Sequence, residues 1–343
     1  MSESNRIHYL KATRETVHTG FFDAAIPPVL TIDSGNTVVM NTMMLMDGEL
    51  RCGMTLKELI AKKQTYIDCN RGSHTLTGPI FVNGAEPGDV LEIRIKKLVP
   101  IDCGVNYHYP AEMNIGGLPE DFPVGQFKSF QLDLKRMETT FAPGVVIPLQ
   151  PFLGVMGVAP RAGEIRPAAA PDYFGGNIDN KELVAGTTLY LPVSVPGALF
   201  SAGDAHAVQG DGEVNVTAIE TAMEEAVLQF FVRKDMKLER PLGETDTHWI
   251  TMGFHEDLNQ AVKIALRDAI QFISKSKRLT PDDAYALCSL AVDLRVTQIV
   301  DGNKGIHAMI PKAIFTALIP KQLGNLKSGI DTGPIEICQT GCS

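Results

Sequence analysis

The segment DVLEIRI, residues 89–95, alternates apolar and polar side chains in the way that a β-strand requires. Because successive strand side chains point to opposite faces, Asp89 shares one face with Leu91 and Ile93, and Glu92 points to the other. A carboxylate without a partner is costly on an apolar face. The pattern therefore predicts a strand and marks Asp89 as a candidate functional residue.

Segments of the same kind recur along the first two thirds of the chain, with turn signals about every 10–15 residues between them. These short β-branched runs occupy residues 28–32, 37–41, 79–82, 90–95, 188–195 and 214–219. Two more, at 227–232 and 249–252, extend the pattern. Short strands joined by tight turns are typical of an antiparallel sandwich or barrel.

The pattern changes to a helical period after residue 253. Apolar residues from Leu258 to Ile273 fall on one helical stripe, and Thr280 followed by Pro281 is a strong helix start. The sequence thus predicts an α+β fold, predominantly antiparallel β (sandwich- or barrel-like), with C-terminal helices. We expect one catalytic unit over 1–322, β-rich in 1–253 and helical in 254–322, followed by a tail at 323–343.

Charge and composition exclude some classes of partner. The chain has 343 residues and a net charge of −9, which disfavours nucleic acid binding. No stretch approaches the ~18–20 apolar residues of a membrane span, and the first residues have no apolar secretory segment. The six cysteines have no CxxC spacing, so we expect them to be reduced in a cytoplasmic protein.

The densest group of reactive side chains is GDAHAVQGDGEV, residues 203–214. In an extended chain Asp204 and His206 share a face, and a turn after them brings Asp211 and Glu213 within reach. Imidazole favours zinc, and carboxylates also accept calcium or magnesium. The alternative is a solvated hairpin tip whose Asp and Gly residues serve the turn. The apolar approach strand at 199–202 argues against that alternative.

Other candidates are more scattered. His74 precedes a Thr-Leu-Thr-Gly-Pro run, Asn177 follows paired glycines that include Gly176, and Glu138 lies in a polar stretch. His18 and His307 are single histidines, which more often have a structural role. The chain has no GxSxG, GxxxxGK[ST] or HExxH motif, so metal-assisted chemistry is the enzyme mechanism that fits best.

Five blocks of the chain together resemble the acetamidase/formamidase family. They are HTGFFDAAIPPVLTIDSGNTV (18–38), TGPIFVNGAEPGDVLEI (77–93), PLQPFLGVMGVAP (148–160), the segment 175–214 that ends in GDAHAVQGDGEV, and CSLAVDLRVTQIVDGNKGIHAMIPKAIF (288–315). The resemblance implies a largely β fold and hydrolysis of short linear amides such as formamide or acetamide to ammonia and a carboxylate. It also implies a bound divalent metal, zinc or calcium, and a homodimer or higher homo-oligomer.

With the resemblance we predict roles for individual residues. Asp204, His206 and Asp89 are the expected metal ligands, with His74 in reserve. Glu213 or Glu138 is the expected general base or acid, and Asn177 or the Gly176 N–H is expected to hold the oxyanion. Two alternatives stay open: a non-catalytic, metal-stabilised protein that binds a small ligand, and a hydrolase of a larger or cyclic amide.

Overall fold

The structure is a computed structural model that describes residues 5–316. The described chain is mostly β with two helices near its C-terminal end, which confirms the predicted fold class. No helix within these residues has the length and apolar character needed to cross a membrane. The predicted tail at 323–343 lies outside the described residues.

The strands, numbered in chain order, are short and joined mainly by turns. They are β1 (Ile7–Leu10), β2 (Val17–Thr19), β3 (Phe21–Asp23), β4 (Leu30–Ile32), β5 (Thr37–Met40), β6 (Thr75–Val82), β7 (Val90–Pro100), β8 (Cys103–His108), β9 (Gln126–Gln131), β10 (Glu138–Ala142), β11 (Val145–Pro148), β12 (Phe152–Gly157), β13 (Ile165–Pro167), β14 (Gly175–Asn177), β15 (Thr188–Pro192), β16 (Phe200–His206), β17 (Glu220–Thr221), β18 (Met223–Arg233), β19 (Leu242–Glu244), β20 (His248–His255), β21 (Asp293–Gln298) and β22 (Lys304–Pro311). The α-helices are α1 (Leu56–Asp68), α2 (Leu258–Lys277) and α3 (Pro281–Ala291), and two short 3₁₀ turns span Ala111–Met113 and Lys312–Ile314.

Two large sheets organise the described strands. The first has the order β1-β5-β18-β7-β15-β19-β20-β22-β21. The second has the order β14-β12-β16-β17-β8-β9, with β6 beside β16 and both β2 and β4 beside β6. Within residues 5–316 the named strands pair antiparallel, except that β1 with β5 and β4 with β6 are parallel. Two small ribbons, β10 with β11 and β3 with β13, complete the strand pairing.

The main hydrophobic core draws its side chains from both sheets. Phe200 of β16 and Phe230 of β18 meet edge to face, with ring centroids 5.1 Å apart. Leu91 and Ile93 are fully buried on the predicted face of β7. Glu92 on the opposite face is also buried, because Arg233 donates a hydrogen bond of 2.6 Å to its carboxylate. Residues 90–93 of the strand are therefore buried on both faces.

Helix α2 packs on the first sheet through small residues. Its buried positions include Ala261, Ala265 and Ile273, as the stripe predicts, and Asp257 caps its N-terminus. Gly253 of β20 permits close packing, because a Cβ there would lie 2.5 Å from the backbone nitrogen of Ala265. The sheet and helix are thereby held in direct backbone contact.

The region 254–322, which the sequence predicts to be helical, also contains two strands of the first sheet. After α3 the chain forms β21 and β22, which pair with each other and place β22 against β20. Sequence reasoning also missed α1, whose Thr55 and Glu58 form a reciprocal capping box. The short apolar stretches in 293–311 are compatible with either a strand or a helix. Their pairing beside β20 determines that they form strands.

One cysteine pair contradicts the expectation of reduced thiols. Cys52 and Cys103 form a disulfide across 51 residues of sequence, with their Cα atoms 6.5 Å apart. Cys103 begins β8, and Cys52 lies in the turn before α1, so the fold brings them together without CxxC spacing. Cys69 and Cys288 are free in the described part of the chain.

Candidate active site

Several acidic side chains and one histidine, most of them near the ends of strands, lie together in one buried region. Asp204 and His206 are the third-last and the last residue of β16, and Asp179 lies two residues after the end of β14. Glu213 lies in the connection from β16 to β17, which itself starts at Glu220. We use the term central cluster for Asp179, Asp204, His206, Glu213, Glu220 and Asp301, the last from the turn between β21 and β22.

His206 lies at the centre of these groups. Its Nε2 is 3.5 Å from Oδ2 of Asp204 and 3.4 Å from Oε1 of Glu220. Its Nδ1 is 3.8 Å from Oδ1 of Asp179. On the other side of Asp204, Nε2 of His74 lies 3.8 Å from Oδ2. Three carboxylates, those of Asp179, Asp204 and Glu220, therefore surround one imidazole, and His74 lies on the far side of Asp204.

Gln209 fixes which nitrogen of His206 carries a proton. The Gln209 Nε2 donates to the backbone oxygen of Asp179 at 2.8 Å and to that of Thr297 at 3.4 Å. Its Oε1 is therefore the atom 3.0 Å from His206 Nδ1, and an amide oxygen only accepts. Nδ1 must then be the donor, which leaves Nε2 directed at Asp204 and Glu220.

Gly154 of β12 makes room for the cluster. A Cβ at this position would lie 2.5 Å from Oδ1 of Asp179 and 2.8 Å from Cε1 of His206. Both distances are shorter than any ordinary van der Waals contact, so a side chain here would displace one of the two groups. The arrangement of Asp179 and His206 therefore requires glycine at position 154.

Three acidic residues of the central cluster have left-handed backbone conformations. The φ angles are 49° at Asp179, 52° at Asp204 and 45° at Glu213. Such angles cost roughly 1 kcal/mol or more for a residue with a side chain. At Asp204 the left-handed conformation lies inside β16, between Gly203 and Ala205, which both pair with β12.

The carboxylates of the cluster differ in how tightly they hold a proton. Burial raises the pKa of Asp204, but the nearby His74 and His206 outweigh it and bring the value down to about 2. Burial raises the pKa of Glu220 to about 7, even though His206 opposes the rise. Burial likewise raises the pKa of Asp179 to about 6. Near neutral pH Asp204 is charged and Glu220 is poised between its two forms.

The pKa values of Glu213 and His206 are also shifted. Burial, followed by repulsion from Asp179, raises the pKa of Glu213 well above its usual range. Burial disfavours the charged form of His206, yet the charges of Glu220 and Asp204 hold its pKa well above its ordinary value. A site that separates proton affinities in this way is typical of acid–base chemistry.

The residues of the cluster fit a divalent cation. Oδ1 of Asp204, both carboxylate oxygens of Asp179 and Nε2 of His206 are buried without a well-formed hydrogen bond in the described structure. Buried polar atoms are ordinarily satisfied, and this set offers carboxylate oxygens and one imidazole nitrogen, which are metal ligands. Three groups have ligand atoms all within 4.8 Å of one another: Asp179/Asp204/His206, His206/Glu213/Glu220 and Asp179/Glu213/Asp301.

Comparison with known proteins shows which family the chain resembles. Residues 7–168 and 162–322 match the sequence profile of the Acetamidase/Formamidase family. The chain belongs to the acetamidase/formamidase family. A crystal structure of acetamidase from Bacillus halodurans is 33% identical and has a TM-score of 0.80, covering 90% of this chain and 98% of that one.

Two sequence relatives are more distant. A putative formamidase of Schizosaccharomyces pombe is 28% identical over 57% of this chain and 60% of its own length. An acetamidase of Mycolicibacterium smegmatis is 28% identical over 41% of this chain and 49% of its own length. The match thus spans about half of each of these two acetamidase/formamidase relatives.

Four predicted site residues of this family member come together. Asp204, His206 and Glu213 belong to the central cluster, and His74 borders it. Asn177 is buried at the end of β14, two residues before Asp179, and its Oδ1 has no hydrogen-bond partner in the described structure. The pairing of β14 with β12 places Asn177 opposite Val155, next to Gly154.

Asp89 does not join these groups, which corrects its expected place among the metal ligands. It lies beside the first sheet, where Lys234 Nζ donates to its Oδ2 at 2.6 Å and the Glu86 backbone N–H donates at 3.0 Å. Burial alone would raise the pKa of Asp89, but the bond from Lys234 lowers it. Asp89 can start a strand on an apolar face because a lysine 145 residues away neutralises it.

Glu138 is also remote from the cluster by its contacts. It begins the small ribbon of β10 and β11, its side chain is 37% exposed, and Arg136 lies 3.6 Å away. A solvated ion pair of this kind gives the carboxylate no unusual chemistry. Glu138 therefore has no part in the chemistry of the central cluster.

Sequence reasoning missed Glu220 and Asp301 and gave Asp179 no role. Asp179 lies in a loop rich in turn formers, and Asp301 in Val-Asp-Gly-Asn resembles an ordinary turn residue. Glu220 follows an apolar run in which nothing local marks it. The signal is spatial: Glu220 pairs with His206 across β16 and β17, whereas Asp179 and Asp301 lie in connections that follow β14 and β21.

Proposed function

We propose that this protein is an amidohydrolase that cleaves the C–N bond of a short linear amide to give ammonia and a carboxylate. Membership of the acetamidase/formamidase family supports this reaction class. The observation that carries the proposal is the buried contact of His206 with Asp204 and Glu220, two carboxylates of very different proton affinity. Acid–base catalysis near neutral pH is most efficient with a group whose pKa lies near the working pH, as that of Glu220 does at about 7.

Hydrolysis of an amide needs an activated water, a stabilised carbonyl oxygen and a proton for the leaving nitrogen. Asp179, Asp204 and His206 are the residues that we propose to hold a divalent cation, with zinc or calcium compatible with one imidazole and several carboxylates. A bound cation of this type lowers the pKa of water and stabilises negative charge. Asp204, ionised at neutral pH, contributes the fixed negative charge of this set.

The chain's own acids supply the proton transfers. Glu220, with a pKa of about 7, is suited to accept the proton of the attacking water. Burial raises the pKa of Glu213 well above its usual range, so it is suited to donate a proton to the departing nitrogen. We retain Asn177 as the side chain that holds the substrate carbonyl oxygen, since it lies beside Asp179 at the end of β14. Glu220 gains the proton of the water and Glu213 loses one to the nitrogen, and exchange of one proton at each glutamate with solvent restores the starting state.

The direct test is ammonia release from formamide, acetamide and propionamide, together with elemental analysis of the purified protein. Glu220→Gln removes the base and should lower kcat/KM about 10²–10⁴-fold. Glu138→Gln makes the same chemical change in the solvated ribbon and should leave kcat/KM unchanged. Full activity in Glu220→Gln would exclude this residue as the base. Absence of ammonia from every amide would favour a binding protein without turnover.

A further inference from the structure

Glu213 and Asp301 of the central cluster lie in connections between strands. Glu213 is carried by the connection from β16 to β17, and Asp301 by the turn between β21 and β22. Neither residue belongs to a strand, so the ladders of the two large sheets do not by themselves fix its position. The contacts that hold these two connections therefore determine where both carboxyl groups lie.

The connection that carries Glu213 is held by backbone bonds to the end of β21. Gly212 N–H donates to the backbone oxygen of Thr297 at 3.1 Å, and Ile299 N–H donates to the backbone oxygen of Gly212 at 3.1 Å. Together these bonds form a parallel bridge between Gly212 and Gln298. Glu213 is the next residue of the chain, so its backbone is tied to β21 at the position directly before it.

The turn that carries Asp301 is closed by the side chain of Gln298. Gln298 is the last residue of β21 and is 0% exposed. Its Oε1 accepts from the Val300 N–H at 2.9 Å and from the Asp301 N–H at 3.2 Å, and its Nε2 donates to the backbone oxygen of Asn303 at 2.7 Å. In the part of the chain that the structure describes, neither of these N–H groups donates to a backbone oxygen. The Gln298 amide therefore replaces the backbone bond that often closes a turn.

The partners of Gln298 allow its amide only one orientation. Two N–H groups face its Oε1 and a carbonyl oxygen faces its Nε2, so a flipped amide would oppose donor to donor and acceptor to acceptor. The turn is also anchored at its far end, where Asn303 Nδ2 donates to the backbone oxygen of Pro171 at 3.0 Å. Pro171 precedes β14, the strand that leads to Asp179. The turn is therefore tied to the segment that carries a third carboxylate of the cluster.

The Asp301 carboxyl group lies close to two other carboxyl groups. One carboxylate oxygen from each of Asp179, Glu213 and Asp301 lies within 4.8 Å of the other two. Oδ2 of Asp301 is buried without a well-formed hydrogen bond in the described structure, so bonds to the side chain do not fully fix it. Its place then depends on the backbone that Gln298 holds. Because protein interiors are close-packed, a shift of Asp301 would be passed on to Glu213.

We propose that Gln298 is a positioning residue of the amide hydrolysis. It holds Asp301 against Glu213, and thereby keeps Glu213 where it can give its proton to the departing nitrogen. This inference rests on the proposed function and adds a residue that acts through Asp301 rather than by contact with the substrate. A misplacement of about 1 Å can cost on the order of 100-fold in rate, so loss of the Gln298 bonds should lower kcat by about 10- to 100-fold. KM should stay within about two-fold, because the lost bonds are not made to the substrate.

The test compares kcat and KM for whichever of formamide, acetamide and propionamide the protein hydrolyses fastest. Gln298→Met keeps a side chain of similar length and removes its three hydrogen bonds. Gln229→Met is the matched control, because the half-buried Gln229 of β18 donates to the backbone oxygen of Gly35 at 3.1 Å, near the other edge of the first sheet. We expect kcat to fall in Gln298→Met and to stay unchanged in Gln229→Met. An unchanged kcat in Gln298→Met, or an equal fall in both variants, would overturn the inference and leave the proposed function standing. If the unmodified protein hydrolyses none of these amides, both fail.

A double-mutant cycle distinguishes the positioning of Asp301 from a general loss of stability. Asp301→Asn alone should lower kcat by about the same factor as Gln298→Met. In the Asp301→Asn protein, Gln298→Met should lower kcat by less than about two-fold more, because two changes that act through one group are not additive. A second full loss of kcat would contradict the inference. Gln298→Glu keeps the acceptor for both N–H groups of the turn, and it replaces Gln298→Met in the cycle if urea unfolding shows that the methionine variant does not fold.

Discussion

Replacement of Gln209 by leucine tests the central geometric argument of the site. The change removes the acceptor of the 3.0 Å hydrogen bond to His206 Nδ1 and the donor to the backbone oxygen of Asp179 at 2.8 Å. Each buried partner left unsatisfied costs about 1–3 kcal/mol, so the loss of two should lower the free energy of unfolding by about 2–6 kcal/mol. Loss of a group that orients a histidine ligand typically weakens metal binding by about 10–100-fold. Competition against a fluorescent chelator measures the metal affinity, and urea unfolding of the metal-free protein measures the stability.

Two control variants make the test of Gln209 specific. Gln209→Glu keeps an acceptor for His206 but cannot donate to the backbone, so it should lose stability while it retains most of the metal affinity. Gln131→Leu removes a comparable 2.8 Å bond, to the backbone oxygen of Asp102 at the surface, and should change neither quantity by much. Unchanged metal affinity in Gln209→Leu would refute the reasoning that Gln209 fixes the protonated nitrogen of His206.

Three further outcomes follow from the same contacts. Gly154→Ala should displace Asp179 or His206, because its Cβ would lie within 2.8 Å of both side chains. Elemental analysis of this variant should find less bound metal. A metal content equal to that of the unmodified protein would contradict this prediction. Asp89→Asn should lower the melting temperature but leave ammonia release unchanged, whereas a loss of activity with the fold intact would return Asp89 to the site. Burial lowers the pKa of His307 to about 4 from 6.5, so the stability that comes from its neutral form is present above pH 6.5 and is lost as the pH falls towards 4. The free energy of unfolding measured in urea should be lower by about 3 kcal/mol at pH 4. In His307→Gln this free energy should decline less between pH 6.5 and 4.5. A decline equal to that of the unmodified protein would exclude His307 as its source.

Local periodicity predicted much of the fold. The alternation in β7 and the apolar stripe of α2 appear in the structure, because each element buries the face that its own sequence defines. Helix α1 escaped prediction because Leu59 is its one fully covered residue, so its apolar stripe is weak. The strands β21 and β22 escaped for a different reason, since they follow two true helices and gain their partners from β20.

The site was predictable only where its residues are close in sequence. Asp204 and His206 are two positions apart on one strand, and Glu213 follows after a turn, so their convergence is a local property. Glu220 reaches His206 because β17 pairs with β16 in a register that sets the two residues opposite each other. Asp89 misled the prediction because Lys234, its neutralising partner, is distant in sequence. Pairing between distant strands is the information that a single sequence does not display.

The left-handed backbone at Asp179, Asp204 and Glu213 has an evolutionary consequence. Glycine adopts these angles without steric penalty, so a lineage that no longer needed the reaction would gain thermostability by discarding the carboxylates one at a time. Descendants of that kind would keep the double-sheet scaffold and carry glycine at these three positions. Glycine at all three positions in a relative would therefore indicate an enzyme that has lost this reaction.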